Sequence, residues 1–385
     1  MKKILLLAGI LLSLHSFSQS GLAYFFGRTT GPLPFLEYGI GDDRLGGAKM
    51  TFLDSNVILK VVDSFQTKYQ VQLSRNHYAY VDKKNFARDM QTITKTHLTN
   101  NWKVYGDSAY DYVTISLDEK LPYRGIQQIN PTRLVVEIFG TQSNTNWITQ
   151  LSTTTEIKNA YYEQEEDDVM KVIIDLNHRQ HWGYTIFYEK NKLVIRIKRQ
   201  PQKLDLKYLT IVVDAGHGGD NKGADGVTSK VLEKNYTLLI AKELRIALVK
   251  KKANVIMTRE KDTTLTMPER IEFLKQQCPD MLISIHLNSA SVDSVQGVST
   301  YYRYIGFRPL SVAILHHILE LNLKEYGNVG NFNFSLSGPT DYPNCLVEVA
   351  FLSNKGDEKK ILSPAFHKAV AKKIVEGIEE FIKNL

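Results

Sequence analysis

Cysteine is scarce in this chain of 385 residues, in which Cys278 and Cys345 are the only two. Because they lie far apart in the sequence, we predict two unlinked buried thiols, although an exported location would also allow a bridge between them. No cysteine lies near residue 18, where the N-terminal segment has the pattern of a cleavage site. A lipoprotein anchor is therefore not expected.

Long apolar runs are also missing. Beyond the N-terminal segment nothing approaches 18 uninterrupted apolar residues, which excludes an internal transmembrane helix of ordinary length. The chain opens with two lysines, an apolar run at residues 4–14 and Ser-Phe-Ser at residues 16–18. That run is too short to span a bilayer, so residues 1–18 are predicted to be a secretory signal peptide, with an N-terminal anchor helix as the alternative. The mature protein would be soluble and would lie in the periplasm or cell envelope.

A strong excess of one charge is absent as well. The formal net charge of +7 includes the two lysines of the predicted signal peptide, and basic residues alternate with acidic ones along the remaining chain. No nucleic-acid motif occurs, so nucleic acid is not expected as a partner. The pattern is typical of a solvated surface with a weak attraction to anionic polymers of the envelope.

Residues 21–92 contain short runs of β-branched and aromatic residues, such as "NVILKVV", "YQVQL" and "HYAYV", separated by polar turns. Strands spaced this closely predict a small all-β domain. Their order, with the closing "AYVDKKNFA", resembles that of bacterial SH3-like domains, which implies a small barrel.

Residues 105–200 contain an internal repeat. Two runs that alternate apolar and polar residues lie 59 positions apart (113 to 172): Val113, Ile115 and Leu117, then Val172, Ile174 and Leu176. "LVVEI" at residues 134–138 recurs at the same offset as "LVIRI" at residues 193–197. Two similar β units of this kind predict a β-sandwich. With "NPTRLVVEI", the block resembles the AMIN domain, which helps to localise envelope proteins at peptidoglycan; a purely structural β domain is the alternative.

Residues 207–385 alternate strands and helices. Apolar residues recur at helical spacing in "EKNYTLLIAKELRIALVKKK", "MPERIEFLKQQ" and the terminal "AFHKAVAKKIVEGIEEFIKNL". Strand patterns lie between them, from "TIVV" to "CLVEVAFLS". This alternation predicts an α/β domain with a mostly parallel sheet covered by helices. The chain as a whole is thus expected to be a multidomain protein with two all-β domains ahead of an α/β domain.

Four polar residues are expected at one edge of that sheet, because side chains that follow parallel strands meet at their carboxyl ends. His217 follows the first strand within the glycine-rich "DAGHGGDNKGADG", Glu233 opens the first helix, His286 ends "MLISI" and Glu348 lies in "CLVEV". Two histidines and one glutamate are a common ligand set of zinc in hydrolases, and the remaining glutamate would serve as a general base. Each residue has a structural alternative: an exposed or core histidine, or a carboxylate at a helix N-terminus. The glycine-rich loop lacks the Gly-Lys-Ser/Thr ending of a phosphate-binding loop.

Several motifs occur in the order found in the zinc-dependent N-acetylmuramoyl-L-alanine amidases of the amidase-3 family, which residues 207–385 resemble throughout. The motifs are "VVDAGHGGDNKGADG", "LEKNYTLLIAKEL", "VIMTRE", "ERIEFL", "SIHLNSA", "QGVSTYY" and "CLVEVAFLSN". The resemblance implies that His217, Glu233 and His286 bind one Zn²⁺ and that Glu348 is the catalytic glutamate.

The implied reaction is hydrolysis of the amide between the lactyl group of N-acetylmuramic acid and the L-alanine of the stem peptide, with Glu348 as general base for a zinc-activated water. Arg259 and Arg270 match family arginines and are expected either to form structural salt bridges or to contact substrate. Asn288 is a candidate for orienting a ligand.

Two other functions stay open: a zinc endopeptidase acting on peptidoglycan cross-links, and a non-catalytic peptidoglycan-binding protein. Some family members insert a long autoinhibitory helix before the last catalytic strand, and residues 302–345 leave little room for one here. We therefore expect basal activity without a partner, while an envelope or divisome protein remains a candidate activator.

Overall fold

The computed structural model describes residues 24–41, 45–90 and 95–385. The predicted signal peptide, residues 1–18, lies outside these ranges. Among the helices of the described residues, none combines the length and the apolarity that a bilayer crossing requires. Cys278 and Cys345 are unlinked, as predicted, but only Cys345 is buried. Cys278 is exposed because it ends a helix in the left-handed conformation, with φ 46°.

The first domain is a single seven-stranded sheet in which every neighbouring pair is antiparallel. Its strands are β1 (Phe25–Thr29), β2 (Phe35–Glu37), β3 (Lys49–Phe52), β4 (Ile58–Phe65), β5 (Lys68–Gln72), β6 (Tyr78–Asp82) and β7 (Phe86–Arg88). They follow the order β3-β2-β6-β5-β4-β1-β7. Leu36, Val61, Val71 and Val81 are fully or almost fully buried, so apolar residues of the predicted strands form the core face.

The second domain consists of two sheets. Its strands are β8 (His97–Gly106), β9 (Tyr110–Leu117), β10 (Tyr123–Ile129), β11 (Thr132–Phe139), β12 (Thr141–Ser143), β13 (Ile148–Gln150), β14 (Ile157–Glu166), β15 (Val169–Leu176), β16 (Tyr184–Glu189) and β17 (Lys192–Lys198). One sheet has the order β10-β11-β15-β14, and the other has the order β12-β8-β9-β17-β16 with β13 beside β8. Buried residues of both sheets form one hydrophobic cluster, which also includes the core of the first domain.

The internal repeat has a structural counterpart. Val113 and Val172 are equivalent positions of the repeat, and so are Val136 and Ile195. In the structure Val113 is the register partner of Ile195, and Val172 is the register partner of Val136. Each half of the repeat therefore pairs with the other half, which gives the domain an approximate two-fold symmetry rather than two separate halves.

The second domain starts earlier than residue 105, the start expected from the sequence. Strand β8 begins at His97, and its register on β9 shifts between Thr99 and Trp102. The shift interrupts the alternation at Asn100 and Asn101, two residues that are typical of turns. For this reason the pattern did not reveal the first half of the strand.

The third domain is an α/β structure. Its elements are β18 (Thr210–Ala215), α1 (Glu233–Lys250), β19 (Asn254–Met257), α2 (Met267–Gln277), β20 (Met281–Asn288), β21 (Val298–Tyr301), α3 (Arg308–Leu319), β22 (Glu325–Val329), β23 (Asn344–Phe351), α4 (Lys355–Ile361) and α5 (Pro364–Lys383). The sheet has the order β19-β18-β20-β23-β21-β22. Strands β19, β18, β20 and β23 are parallel, and β21 runs antiparallel to β23. The sheet is mostly parallel, as predicted.

Helices cover both faces of this sheet. Helices α1, α3 and α5 bury residues such as Leu244, Ile314 and Ile374 in one large cluster with β18, β20 and β23. Ile271 and Leu274 of α2 pack in a smaller cluster on the opposite face. Helix α1 buries residues three to four positions apart, and this spacing explains why its sequence forms a helix against the sheet.

The second and third domains are joined by direct contacts. The backbone N–H of Tyr184 donates to the carbonyl of Thr340 at 2.8 Å, and the hydroxyl of Thr340 donates back to the carbonyl of Tyr184 at 2.7 Å. The ammonium group of Lys198 lies 2.8 Å from a carboxylate oxygen of Asp280. These contacts join the second domain to the segments that precede β20 and β23.

Candidate metal centre

His286 and Glu348 lie beside each other on neighbouring strands. They are register partners in the parallel pair of β20 and β23. Ile285 and Leu287 on β20 belong to the core beneath α1, α3 and α5. Because side chains alternate along a strand, His286 projects from the opposite face of the sheet.

The loop after β18 brings His217 to the same edge. His217 has a φ of 61°, which is uncommon for a residue with a side chain and is often found at functional sites. Two glycines leave the space that the site needs. A Cβ at Gly216 would come within 2.5 Å of the ring of His286, and a Cβ at Gly223 would come within 2.4 Å of Glu233 Oε2. The glycine-rich sequence therefore allows the backbone to pass directly beside the site.

Glu233 is fixed at the first residue of α1 by backbone donors. Its Oε1 accepts from the N–H of Leu287 at 3.0 Å, and its Oε2 accepts from the N–H of Ala224 at 2.8 Å. The residue is only 4% exposed, and the N-terminus of the helix favours its negative charge. These contacts hold the carboxylate between the glycine-rich loop and β20.

The three side chains form a compact group. Ligand atoms of His217, Glu233 and His286 all lie within 4.8 Å of one another. Oε1 of Glu233 is 3.1 Å from Nε2 of His217 and 3.2 Å from Nδ1 of His286. Zinc–nitrogen and zinc–oxygen bonds of about 2.0–2.1 Å place tetrahedral ligands about 3.3 Å apart. The two separations are thus close to those between ligands of one shared ion.

The protonation pattern of the histidines also fits a cation. Nδ1 of His217 lies 2.9 Å from Oδ1 of Asn221, an acceptor, so Nδ1 carries the proton and the lone pair of Nε2 faces Glu233. Nε2 of His286 is buried and has no hydrogen-bond partner within the described residues. A lone pair and a carboxylate that face each other repel unless a proton or a metal ion lies between them.

The pKa values of the group show this attraction for positive charge. Burial alone would lower the pKa of His217, but the hydrogen bond to Glu233, the charge of Glu233 and the hydrogen bond to Asn221 together outweigh burial and raise that pKa. Burial opposes ionisation of Glu233, yet the hydrogen bonds to His217 and His286 take its pKa well below the ordinary value. Both shifts show that a positive charge beside Glu233 is favoured.

Glu348 lies outside this group of three, on the adjacent strand. It is half-buried between the buried Val347 and Val349 and is also the register partner of Ser299 on β21. The hydroxyl of Tyr301 lies 3.2 Å from that of Ser299, so the phenol is on the Glu348 side of the site. This position leaves Glu348 beside the three candidate ligands rather than among them.

Asn288 contacts Tyr301 rather than a candidate ligand. Its Nδ2 lies 3.3 Å from the hydroxyl oxygen of Tyr301, and its Oδ1 accepts from the N–H of Ser289. The sequence prediction that Asn288 orients a ligand directly therefore has no counterpart in these contacts, which place it on the Glu348 side of the site.

Arg259 and Arg270 contact backbone carbonyls and a carboxylate of this chain. Both are almost fully buried, at 3% and 1% exposure, and neither points into solvent where a substrate could reach it. Arg259 donates to the carbonyls of Ala215 and Gly216, each at 2.9 Å. Arg270 pairs with the buried Asp214 and donates to the carbonyl of His217 at 2.5 Å. The two arginines thus hold the backbone of the glycine-rich loop.

Two residues of the site were missed by the sequence analysis. Asn221 sets the tautomer of His217, and its position four residues later in the same loop was the available signal. Asp214 accepts from Ser284 at 2.6 Å and from Thr258 at 2.7 Å, besides its pair with Arg270. A carboxylate at the end of the apolar strand β18 was the signal for Asp214, because such a charge needs partners.

A second group of possible ligands lies on the far side of the domain. It consists of His317, Glu320 and Glu376. Nζ of Lys373 lies 2.5 Å from a carboxylate oxygen of Glu320 and 2.6 Å from one of Glu376. The lysine already supplies the positive charge there, so the group needs no metal ion.

Comparisons with known proteins agree with this geometry. Residues 211–380 match the family model described as N-acetylmuramoyl-L-alanine amidase, and residues 101–197 match that of the AMIN domain. The probable cell wall amidase LytH of Staphylococcus saprophyticus is 32% identical over 213 residues, which cover 55% of this chain and 71% of that protein. The chain belongs to the N-acetylmuramoyl-L-alanine amidase family. The matched range, residues 211–380, contains His217, Glu233, His286 and Glu348.

Other relatives match a smaller share of this chain. The probable cell wall amidase LytH of Staphylococcus epidermidis is 34% identical over 180 residues, which are 46% of this chain and 60% of that protein. Among solved structures, the catalytic domain of the amidase CwlV from Bacillus (Paenibacillus) polymyxa is 29% identical, with a TM-score of 0.44 and coverage of 46% of this chain and 98% of that one. An N-acetylmuramoyl-L-alanine amidase from Clostridium difficile 630 is 30% identical, with a TM-score of 0.44 and coverage of 46% and 97%.

Asp214→Asn is expected to lower the free energy of unfolding by about 3–5 kcal/mol, because it leaves the guanidinium of Arg270 buried without its counter-charge. Burial raises the pKa of Asp214, but the charge of Arg270 and the hydrogen bond from Ser284 outweigh it, so the pKa is lower in the folded state. A carboxyl of this kind stabilises the fold above its unfolded pKa of about 3.9 and loses that contribution as the pH falls through its folded pKa.

The wild-type chain should therefore lose stability in acid below about pH 4, whereas the Asp214→Asn variant should be less stable at neutral pH and change less with acid. Urea unfolding of both proteins at pH 7 and pH 3 measures the difference. The same acid dependence in both proteins would show that Asp214 does not carry this contribution.

Proposed function

We propose that the chain is a zinc-dependent peptidoglycan hydrolase that cleaves the amide between the lactyl group of N-acetylmuramic acid and the L-alanine of the stem peptide. The observation that carries the proposal is the group of His217, Glu233 and His286, whose ligand atoms lie within 4.8 Å of one another. The group lies in the part of the chain that matches the amidase family.

His217, Glu233 and His286 would hold the Zn²⁺. Two histidines and one carboxylate suit a catalytic zinc, which keeps a further coordination position for water or substrate. Zinc bound there supplies polarisation of the scissile carbonyl and a lower pKa for the attacking water. The separations of 3.1 Å and 3.2 Å from Oε1 of Glu233 to Nε2 of His217 and Nδ1 of His286 support this ligand set over a structural role for either histidine.

We assign the role of general base to Glu348. It takes a proton from the attacking water and returns it to the leaving amine nitrogen of L-alanine, so that the C–N bond breaks and a carboxylate and an amine are formed. Its place beside His286, outside the three ligands, supports this division of roles between the two glutamates. Tyr301 and Asn288 would orient the carboxylate from the side opposite the ligands.

The preceding domains support a place in the cell envelope. We propose a signal peptide at residues 1–18, an SH3-like domain at 21–92, an AMIN domain that covers 105–200 and includes the earlier part of β8, and a catalytic domain at 207–385. The AMIN match supports contact with peptidoglycan and a periplasmic location. One solved relative, the CwlD amidase, is described in complex with the GerS lipoprotein, so an activator protein stays a candidate partner here.

The proposal is tested by incubation of the purified, zinc-loaded full chain with purified peptidoglycan, with and without a chelator. We expect release of stem peptides with a free L-alanine amine without any added partner protein, and loss of release with the chelator. Masses of the muropeptide products separate this result from cleavage of cross-links. Retention of all peptide on the glycan, with zinc bound, would instead favour a non-catalytic wall-binding protein.

A further inference from the structure

The segment Phe332–Phe334, here called the aromatic segment, contacts both sides of the candidate centre. The ring of Phe334 lies edge-on to the ring of His286, with centroids 5.4 Å apart. The centroid of the Phe332 ring lies 4.5 Å from the centroid of the Tyr301 ring, and Tyr301 is on the Glu348 side of the site. The segment thus contacts one residue of the ligand group and one residue on the side of the general base.

Asn333, between the two phenylalanines, faces the first domain. Its Oδ1 accepts from the backbone N–H of Lys49 at 3.1 Å and from Nη1 of Arg303 at 3.0 Å. Its Nδ2 donates to the carbonyl of Gly47 at 2.9 Å and also approaches the carbonyl of Leu45 at 3.4 Å. A carboxamide has two donor hydrogens and two acceptor lone pairs, and here all four are used, three of them on the backbone of the first domain.

Further contacts with the first domain lie around the same segment. Nη2 of Arg303 donates to the carbonyl of Lys49. Leu33 and Phe52 of the first domain pack in the same hydrophobic cluster as Phe334. A Cβ at Gly338, a few residues further along, would come within 2.9 Å of the ring of Phe52. The first domain therefore contacts the segment on the side away from His286.

We propose that Asn333 is a positioning residue, through which the backbone of the first domain at residues 47–49 holds the aromatic segment against the metal centre. The first domain then takes part in catalysis as the support of one wall of the cleft. The proposal rests on the proposed function, because its effect on turnover requires an active amidase. Its effect on the segment itself is measurable without activity.

The physical reason is the precision that catalysis requires. A reacting group displaced by about 1 Å can lose about two orders of magnitude in rate. Without the carboxamide of Asn333, the aromatic segment loses its hydrogen bonds to a separate domain, and the rings of Phe332 and Phe334 gain freedom beside the site. The zinc ligands themselves remain fixed by α1, β20 and the glycine-rich loop, so metal binding should not change.

The test uses the zinc-loaded full chain with Asn333→Ala. Lys198→Met is the matched control, since it also removes a contact between domains but lies away from the centre. Hydrogen exchange of residues 332–338, zinc content, and kcat/KM on a soluble muropeptide are measured for each protein. We expect Asn333→Ala to speed exchange in residues 332–338 and to lower kcat/KM about tenfold, with one zinc retained. Lys198→Met should change none of the three.

Two additional variants keep the test decisive. Arg303→Met removes the contact of Arg303 with the carbonyl of Lys49 and should also speed exchange and lower kcat/KM. It replaces Asn333→Ala as the test variant if Asn333→Ala fails to fold. In a Phe334→Ala background, Asn333→Ala should cause a smaller further loss of kcat/KM, because one of the two rings that it positions is gone.

Unchanged exchange at residues 332–338, equal loss in the Lys198→Met control, or an undiminished loss in the Phe334→Ala background would overturn the proposal. An inactive wild-type chain would contradict the proposed function instead, and the exchange measurement would still decide the role of Asn333.

Discussion

Glu348→Gln is expected to keep its zinc and to lower turnover by about 10²–10⁴-fold, the usual contribution of general acid–base catalysis. Glutamine preserves the shape and volume of the side chain but cannot accept the proton of the attacking water. The zinc should stay bound because Glu348 lies outside the group formed by His217, Glu233 and His286. Emission spectroscopy gives the metal content, and the rate on a muramoyl-peptide gives the turnover.

The matched control is Glu325→Gln, an exposed glutamate on β22 of the same sheet. It removes one charge without touching the site and should leave both zinc content and turnover unchanged. If Glu348→Gln lost its zinc, Glu348 would be a ligand. If it kept near-normal turnover, another group would be the base.

Glu233→Gln is expected to lose zinc. A neutral amide oxygen is a weaker donor to a dication than a carboxylate, and loss of even an outer-shell partner costs about 10–100-fold in metal affinity, so loss of a ligand should exceed that range. The amide would also replace one oxygen that now accepts from the N–H of Leu287 or of Ala224. Turnover should therefore fall together with the zinc content and recover in part when excess zinc is added.

The two glutamate variants are informative as a pair. Both should be inactive at limiting zinc, but only Glu233→Gln should be poor in metal. Equilibrium dialysis against a series of zinc concentrations gives the affinity of each protein. Wild-type affinity in the Glu233→Gln protein would remove Glu233 from the ligand set and leave only two histidines there.

The sequence predicts that His217, Glu233 and His286 lie together because their positions follow from general rules. His217 and His286 come at or just after the ends of strands, and Glu233 opens a helix, so a parallel sheet brings them to one edge. Glu348 was recognisable as a charge within an apolar strand, which is costly without partners. The structure places Glu348 beside His286 on the neighbouring strand.

The contacts that hold the loop and the aromatic segment beside the site could not be predicted in the same way. Arg259 and Arg270 act on backbone carbonyls of the glycine-rich loop, and such contacts leave no pattern in the side-chain sequence. The partners of Asn333 are backbone atoms of residues 47 and 49, almost three hundred positions earlier. Contacts of this range depend on how whole domains pack, which periodicity within one segment does not reveal.

Strand pairing in the β-sandwich could not be predicted from the sequence pattern either. The repeat offset predicted two similar units, and the strands were found where their alternation is regular. The pairing of Val113 with Ile195 and of Val136 with Val172 across the two halves was not predictable, because alternation assigns a face to each residue but not a partner strand.

We propose that this chain hydrolyses the bond between the lactyl carbonyl and L-alanine with water activated at His217, Glu233 and His286. The most direct test is hydrolysis of a soluble muropeptide in water labelled with oxygen-18, followed by mass analysis of both fragments. We expect one labelled oxygen in the lactyl carboxylate of the glycan fragment and none in the released peptide. Label in a peptide carboxylate would identify cleavage within the peptide and would contradict the account.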